Sequence, residues 1–555
     1  MPFKSQFPDS KPPEHFRDSL SEFFWHQLDV HAKRTLLVEH ASGRSWTGEQ
    51  LKRAATKIAR YLVEELELEP EFSCALLAPH SDHLLLVALG VLFAGGFVCA
   101  GAPEDPESAQ LELFDLMRPK LVFASASIHQ MLLKIQSTTA ANFHLCLMDQ
   151  PEGCEQPQAM TLERLLSRKL NGHCGGSASK LPVLVGPDSP AFVLLTSGST
   201  GNPKPVARSQ RNSLHVCFSL NPSGASEHQL WHLDQESILA GHLPLDHGTG
   251  TFSLKMMLAK GLRLVLIEPY KTELLLEAIE KHRITDCMLG SAYIHNLINA
   301  QLDGTGRQCN LSSLRNLMAV GSPLASQSLV NEFMDRQPQL SVRQTYGMTE
   351  CGFLSIVPRA SARDPKGSVG LLLPNVTVRL LDPKSGLEVQ QLGQEGELLV
   401  SGPTVSPGYL GSRFSQQTRA VFLGDGFYRS FDLASLAPQT HWLSIRGRLN
   451  DVLCLDDGWK VLPQELESVL LQHPGVLECA VVGVPHPKLP SCHAPRAFVV
   501  PRKAWRLKLT ESEVGEFVAK QVSKPKRLSG GVRFLESLPS ISVGKVDRVA
   551  LRQLQ

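Results

Sequence analysis

The chain reads as an α/β protein, with a large N-terminal domain of layered α/β sheets plus a β-rich subdomain, followed by a small mobile α+β C-terminal domain. Three observations predict this. Short apolar runs, Lys120-Leu-Val-Phe-Ala, Phe192-Val-Leu-Leu and Arg263-Leu-Val-Leu-Ile, alternate with stretches of helical periodicity, the pattern of crossover units with mostly parallel sheets. From about 355 to 412 the texture changes to strands and turns, as in Val376-Thr-Val-Arg-Leu-Leu, Asp382-Pro-Lys-Ser-Gly386 and Gly396-Glu-Leu-Leu-Val400. After Arg448 a smaller unit begins, and 555 residues are too many for one ordinary domain. The boundary is placed between residues 1–449 and 450–555.

Residues 46–66 predict an amphipathic helix: Thr47 and Gln50 form a capping-box pair, and Leu51, Ala55, Ile58, Leu62 and Leu66 recur at helical spacing. Leu84 to Ala102 carries no charge over 19 residues. Gly90, Gly95-Gly96 and Gly101 divide it and Pro103 closes it, so a buried helix to Ala94 followed by a short strand Phe97 to Cys99 is expected rather than a membrane span. The polar stretch between about 150 and 190 is expected to be a surface connection. Beyond the junction, Pro463 to Leu471 predicts a helix, Cys479 to Val484 and Ala497 to Val500 predict strands, and Thr510 with Glu513 caps another helix.

Lys and Arg number 55 against 54 Asp and Glu, so no nucleic acid or anionic membrane is implied as a partner. The 12 cysteines are scattered without a Cys-x-x-Cys, which argues against zinc or a disulfide framework and fits a reducing, intracellular and by default cytoplasmic setting. Met1 to Ser10 lacks the apolar core of a signal peptide, and Leu551 to Gln555 is not the Ser-Lys-Leu peroxisomal address.

The most informative stretch is Phe192-Val-Leu-Leu-Thr-Ser-Gly-Ser-Thr-Gly-Asn-Pro-Lys204. An apolar strand breaks into a loop holding Thr196, Ser197, Gly198, Ser199, Thr200 and Gly201, and ends in Lys204. Glycines let backbone N–H groups turn toward an anion, hydroxyls add donors and the lysine adds charge, as a polyphosphate requires. Thr196-Ser-Gly-Ser-Thr-Gly-x-Pro-Lys204 resembles the phosphate loop of the adenylate-forming superfamily, which comprises acyl-CoA synthetases, peptide-synthetase adenylation domains and luciferases.

The resemblance extends through Ala319-Val-Gly321-Ser322-Pro-Leu324, Gln344-Thr-Tyr346-Gly347-Met348-Thr349-Glu350, Tyr428-Arg-Ser-Phe-Asp432, Ile445-Arg-Gly-Arg448-Leu-Asn450-Asp451 and Leu538-Pro-Ser-Ile-Ser-Val-Gly544-Lys545. It implies that Tyr346 stacks on adenine, Thr349 bonds the α-phosphate and Glu350 holds Mg²⁺. Asp432 would accept both ribose hydroxyls, Arg448 would bond the same nucleotide, Asn450 would mark the hinge, and Lys545 would be the catalytic lysine. Gly321 and Gly347 would line the nucleotide site. His247, Gly248, Ser322 and Met348 would line the acyl pocket, with His247 counted among the catalytic residues beside Thr349 and Lys545.

Motif order over 192 to 548 is similar to the acyl-CoA synthetase and luciferase branch. This implies an ATP-dependent ligase that uses ATP, Mg²⁺ and coenzyme A to activate a small carboxylic acid, fatty or aryl, without a carrier domain. A luciferase-like oxygenase, a free-standing amino-acid adenylating enzyme and a non-catalytic nucleotide-binding relative stay open as alternatives. Amino-acid activation is disfavoured because Gly248 stands where an Asp would pair the ammonium, Asp246 lying nearer the start of the motif. Gly248 and Gly250 are expected to leave room for an acyl chain. Four departures from the family pattern stand out: Pro205 and Phe431 in place of glycines, Gln210 in place of His, and a longer 451–460 loop without a lysine near Cys454.

Overall fold

The computed structural model describes residues 2–16, 18–139, 142–149, 160–168, 180–196, 204–220, 230–302, 308–324, 327–363, 367–455, 460–485, 492–539 and 546–554. Two large sheets dominate. In the first, Pro190–Thr196, Phe97–Gly101, Ser73–Leu77, Leu121–Ala124, His144–Leu147 and Met160–Thr161 run parallel. Lys204–Ser209 and then Gly408–Tyr409 add antiparallel at its edge. In the second, Ser341–Met348, Asn316–Val320, Asp286–Gly290, Ile238–Gly241, Arg263–Leu266 and Thr35–Glu39 run parallel. Its antiparallel edges are Gly352–Ile356 with Leu371–Leu372, and Ser45–Thr47. The parallel strands are buried on both faces, which is why they read as apolar runs without alternation.

Between the sheets lies the helix Asp82–Phe93, every residue of which except His83 is buried. Ser81 caps it by accepting from the Leu84 N–H at 3.3 Å. Asp82 begins it fully buried, accepting from Arg44 Nε at 2.6 Å and Trp46 Nε1 at 2.7 Å, so its charge is paired. Gly90 has a packing reason: a Cβ there would meet Ile58 Cγ2 at 2.5 Å on the neighbouring helix Gly48–Arg60. That helix carries the expected capping box of Thr47 and Gln50. It stays α-helical only to Arg60, because Tyr61–Glu65 widens into a π turn.

The uncharged stretch divides as expected, into the buried helix and the strand Phe97–Gly101. The 150–190 segment differs in its described part: Met160–Thr161 joins the first sheet and the helix Leu162–Ser167 buries Leu162 and Leu165. Leucines hidden in a polar stretch cover the sheet edge, which composition alone does not show.

A third, antiparallel sheet holds Phe3–Lys4, Thr377–Leu381, Glu395–Ser401, Tyr428–Leu436 and Leu443–Arg448; its second and third strands lie in the β texture expected at about 355 to 412, and the sheet runs on to Arg448. Toward the C-terminus, Val476–Pro485 and His493–Pro501 pair antiparallel and Val532–Phe534 joins in parallel. The helices Pro463–Leu470 and Glu511–Ala519 cover this small sheet, the second with the Thr510–Glu513 capping box in place. Leu466, Val481, Val499 and Val514 share its separate core.

Candidate active site

In α/β folds ligands bind beyond the C-terminal ends of the parallel strands. Tyr346, Gly347 and Met348 end the strand Ser341–Met348, and Gly321 and Ser322 follow Asn316–Val320. The third sheet delivers Asp432 and Arg448 as register partners on adjacent strands. Asp432 is buried, with one oxygen accepting from Tyr346 Oη at 2.5 Å and the other from Arg448 Nε at 3.1 Å. Its own N–H donates to Ser430 Oγ, and that hydroxyl donates to the Leu398 carbonyl. Burial raises the Asp432 carboxyl above its ordinary value, and the Arg448 guanidinium works in the opposite direction. Burial and then the facing carboxylate push the Tyr346 hydroxyl well up, so it stays a donor.

Thr349 and Glu350 form the turn between Ser341–Met348 and Gly352–Ile356. A Cβ on Gly347 would meet the Gly352 carbonyl oxygen at 2.4 Å, so only glycine fits this crossing. Tyr409 Oη donates to Glu350 Oε1 at 3.3 Å, and burial and Glu350 both raise that phenol. The Glu350 carbonyl accepts from the Ser406 N–H at 2.7 Å and from Arg208 Nη1 at 3.1 Å, and the Thr349 carbonyl accepts from the same nitrogen at 3.3 Å. Arg208 and Tyr409 were not signalled by any motif. A lone arginine in the short strand after the phosphate loop, and an aromatic after Pro407-Gly408, are the only traces they leave in the sequence.

Thr196 and Lys204 pair directly across the two strands that flank the phosphate loop. Lys204 Nζ lies 5.8 Å from the centre of the Tyr409 ring. Ser197, Gly198, Ser199, Thr200 and Gly201 lie outside the described residues, as does Lys545. Asn450 falls in the short turn Leu449–Asp451 that follows Arg448.

His247 caps the helix Gly248–Lys260, with Nδ1 2.5 Å from Thr249 Oγ1 and accepting from the Thr249 N–H. Gly248 is open, since a Cβ there meets nothing nearer than Leu194 Cδ1 at 3.9 Å. Gly250 does not leave room for an acyl chain: its Cβ would fall 1.9 Å from the Pro244 carbonyl oxygen, so it serves a close backbone approach. Asp246 stands next to His247, and burial, then Asp105 and Glu104, raises its carboxyl to about 6. The Ser322 carbonyl accepts from Ser291 Oγ at 2.6 Å and from Gln344 Nε2 at 3.1 Å, tying the Gly321–Ser322 turn to the start of the helix Ser291–Leu302 and to the strand Ser341–Met348.

Two departures acquire a structural account. Phe431 takes the left-handed φ of +60° that favours glycine, and its ring is met by the Arg429 guanidinium at 5.2 Å. Arg429 is itself held by two 2.7 Å bonds to Glu397, so the added bulk packs against an ion pair. Gln210 is fully buried, and its Oε1 accepts from the Ser21 N–H at 3.1 Å.

A model of AMP-binding enzymes matches residues 24–410, and a model of the AMP-binding enzyme C-terminal domain matches residues 465–545. The chain therefore belongs to the AMP-binding, adenylate-forming enzyme family. It is 27% identical over 555 residues to 4-coumarate–CoA ligase-like 2 of Arabidopsis thaliana, covering 100% of this chain and 93% of the relative. It is 28% identical over 481 residues to luciferin 4-monooxygenase of Photinus pyralis, covering 86% and 83%. Among solved structures, ATP-bound MatB from Rhodopseudomonas palustris superposes with a TM-score of 0.80 at 24% identity, covering 96% of this chain and 98% of the other, a likeness of fold. No helix among the described residues is long and apolar enough to cross a membrane.

Proposed function

We propose that this chain is an ATP-dependent acid–thiol ligase that activates a carboxylic acid, fatty or aryl, as acyl-AMP and transfers the acyl group to coenzyme A. One observation carries the reading: the buried carboxylate of Asp432, clamped by Tyr346 and Arg448 at the ends of the parallel strands. An ionised carboxylate is a strong acceptor for a pair of vicinal hydroxyls, and the neighbouring tyrosine ring offers a face for a base.

In the first step a substrate carboxylate oxygen attacks the α-phosphorus of ATP. A new O–P bond forms, the bond to the β-phosphate oxygen breaks, and pyrophosphate leaves with the electron pair. Thr196 to Lys204 line the phosphates, Thr349 donates to the α-phosphate, and Lys545 bridges carboxylate and α-phosphate. Positioning and charge neutralisation supply most of the catalysis. Glu350 fits a magnesium ion: it is a single half-buried carboxylate steadied by Tyr409, and Mg²⁺ prefers one or two carboxylates plus phosphate oxygens. When bound, the ion offsets charge on the phosphate oxygens.

In the second step the thiolate sulfur attacks the acyl carbon, the C–O bond to AMP breaks, and AMP departs. His247, Gly248, Ser322 and Met348 line the acyl pocket, a reading supported at Gly248 by the absence of any contact nearer than 3.9 Å to a Cβ placed there. Residues 1–449 and 450–555 act as two bodies that rotate about Asn450 between the steps, exchanging Lys545 for the 451–460 loop.

The test incubates the protein with MgATP, coenzyme A and a panel of fatty, aryl and amino acids, with products read by mass spectrometry. An acyl-CoA is expected. Acyl-AMP alone overturns the acceptor, and neither product from folded protein overturns the ligase reading.

A further inference from the structure

Arg208 is an unusual residue to find beneath this site. It is 3% exposed and occupies the strand Lys204–Ser209 that leaves the phosphate loop. Among the described residues its guanidinium makes no ion pair, and its recorded hydrogen bonds go to the neutral carbonyls of Thr349 and Glu350. A second buried basic side chain, Lys255, sits nearby on the helix Gly248–Lys260, with Nζ 5.0 Å from the centre of the Phe192 ring and 3.4 Å from Thr251 Oγ1. Phe192 is the register partner of Arg208. Burying an unpaired charge is costly, so a compensating anion is expected to be part of the working state.

The turn that Arg208 holds is attached on several sides to the strands around the phosphate loop. Ser406 Oγ donates to the Ala207 carbonyl at 2.6 Å while the Ser406 N–H reaches the Glu350 carbonyl at 2.7 Å. Tyr409, on the strand paired to Val206 and Ala207, reaches the Glu350 carboxylate. Arg208 closes this frame from below. Its Nη2 also lies 3.5 Å from where a Cβ on Gly352 would stand, so the guanidinium fills the space under the turn.

We infer that Arg208 is a positioning residue for adenylation: it fixes the Thr349–Glu350 turn through both carbonyls, and its unpaired charge is offset by the nucleotide's phosphates and the Glu350 carboxylate. This rests on the ligase reading above, because it takes Thr349 and Glu350 as the phosphate and metal contacts. The arginine thereby favours the MgATP-loaded arrangement without touching substrate. Lys255 reports the same crowding of positive charge: burial and then Arg208 lower its amine to about 7.

The test compares wild type with Arg208→Met and Arg208→Lys. It measures MgATP affinity by calorimetry and the Mg²⁺ concentration that half-saturates ATP–pyrophosphate exchange, and uses as a buried-arginine control Arg343→Lys, whose guanidinium donates to the Leu230 carbonyl and to Asn316 Oδ1 rather than to the turn. Arg208→Met is expected to weaken MgATP binding about tenfold and to raise the Mg²⁺ half-saturation several-fold. Arg208→Lys is expected to recover part of both, and the control to move neither. If Arg208→Met does not fold, Arg208→Lys alone decides, since one amine cannot hold both carbonyls and must still shift the Mg²⁺ curve. A wild-type protein that binds MgATP, with both Arg208 variants showing an unchanged Mg²⁺ requirement, overturns the inference and leaves the ligase reading standing. A wild-type protein that does not bind MgATP overturns both.

Discussion

Replacing Asp432 with asparagine separates charge from shape at the centre of the site. The carboxylate accepts from Tyr346 Oη at 2.5 Å and Arg448 Nε at 3.1 Å. In the variant the amide oxygen can still accept from Arg448 while its NH₂ donates to the Tyr346 oxygen, so only the Tyr346 hydroxyl proton loses its acceptor. The Arg448 side chain is 48% exposed, so losing its partner costs about 1 kcal/mol or less after solvent screening. Burial already disfavours the Asp432 charge, which further limits the loss of stability. Binding is a different matter. Hydrogen bonds to a charged acceptor contribute about 1.5–3 kcal/mol each, and an amide supplies one neutral oxygen where two ribose hydroxyls need acceptors. The expected loss is about 2–4 kcal/mol, or roughly 30- to 1,000-fold in MgATP affinity. Calorimetric titration with MgATP, beside a thermal melt, measures both quantities. An unchanged dissociation constant in folded Asp432→Asn protein would refute the assignment of Asp432 to the nucleotide.

Three further outcomes are expected. Lys545→Ala lowers adenylation by at least two orders of magnitude but spares thioester formation from supplied acyl-AMP, and equal loss of both half-reactions would rule out the proposed division of labour. Gly248→Ala leaves the melting temperature within about 2 °C and shifts the preferred acid toward shorter chains, whereas Gly250→Ala, whose Cβ would overlap the Pro244 carbonyl, lowers soluble yield or melting temperature sharply. Asp246 has a folded value of about 6 against an ordinary 3.8, so its favourable contribution is complete below about pH 4 and is lost as pH rises through 6. Asp246→Asn is therefore expected to leave the melting temperature unchanged near pH 4 and to raise it at pH 8, by up to ~3 kcal/mol in stability; an equal shift at both pH values would show that the carboxyl does not carry the burial cost.

The alternation of apolar runs with helical periodicity made the two parallel sheets legible, because strands covered on both faces have no polar positions to disguise them. The Thr47–Gln50 and Thr510–Glu513 capping boxes were equally legible, since both partners lie within one turn of chain. Tyr346, Glu350, Asp432 and Arg448 could be singled out because each sits in a compact motif, although their meeting depends on two different sheets. Arg208, Tyr409 and Lys255 gave no such signal. Their significance comes from partners 142 residues away for Arg208 and 59 for Tyr409, distances at which sequence spacing carries no information. Gly250 shows the limit most plainly: glycine was visible at that position, but only the path of the backbone at Pro244 decided that it serves packing rather than substrate. Local hydrogen bonding and periodicity are written in neighbouring residues, whereas the surroundings of a buried charge or a missing Cβ are set by segments that the fold brings together.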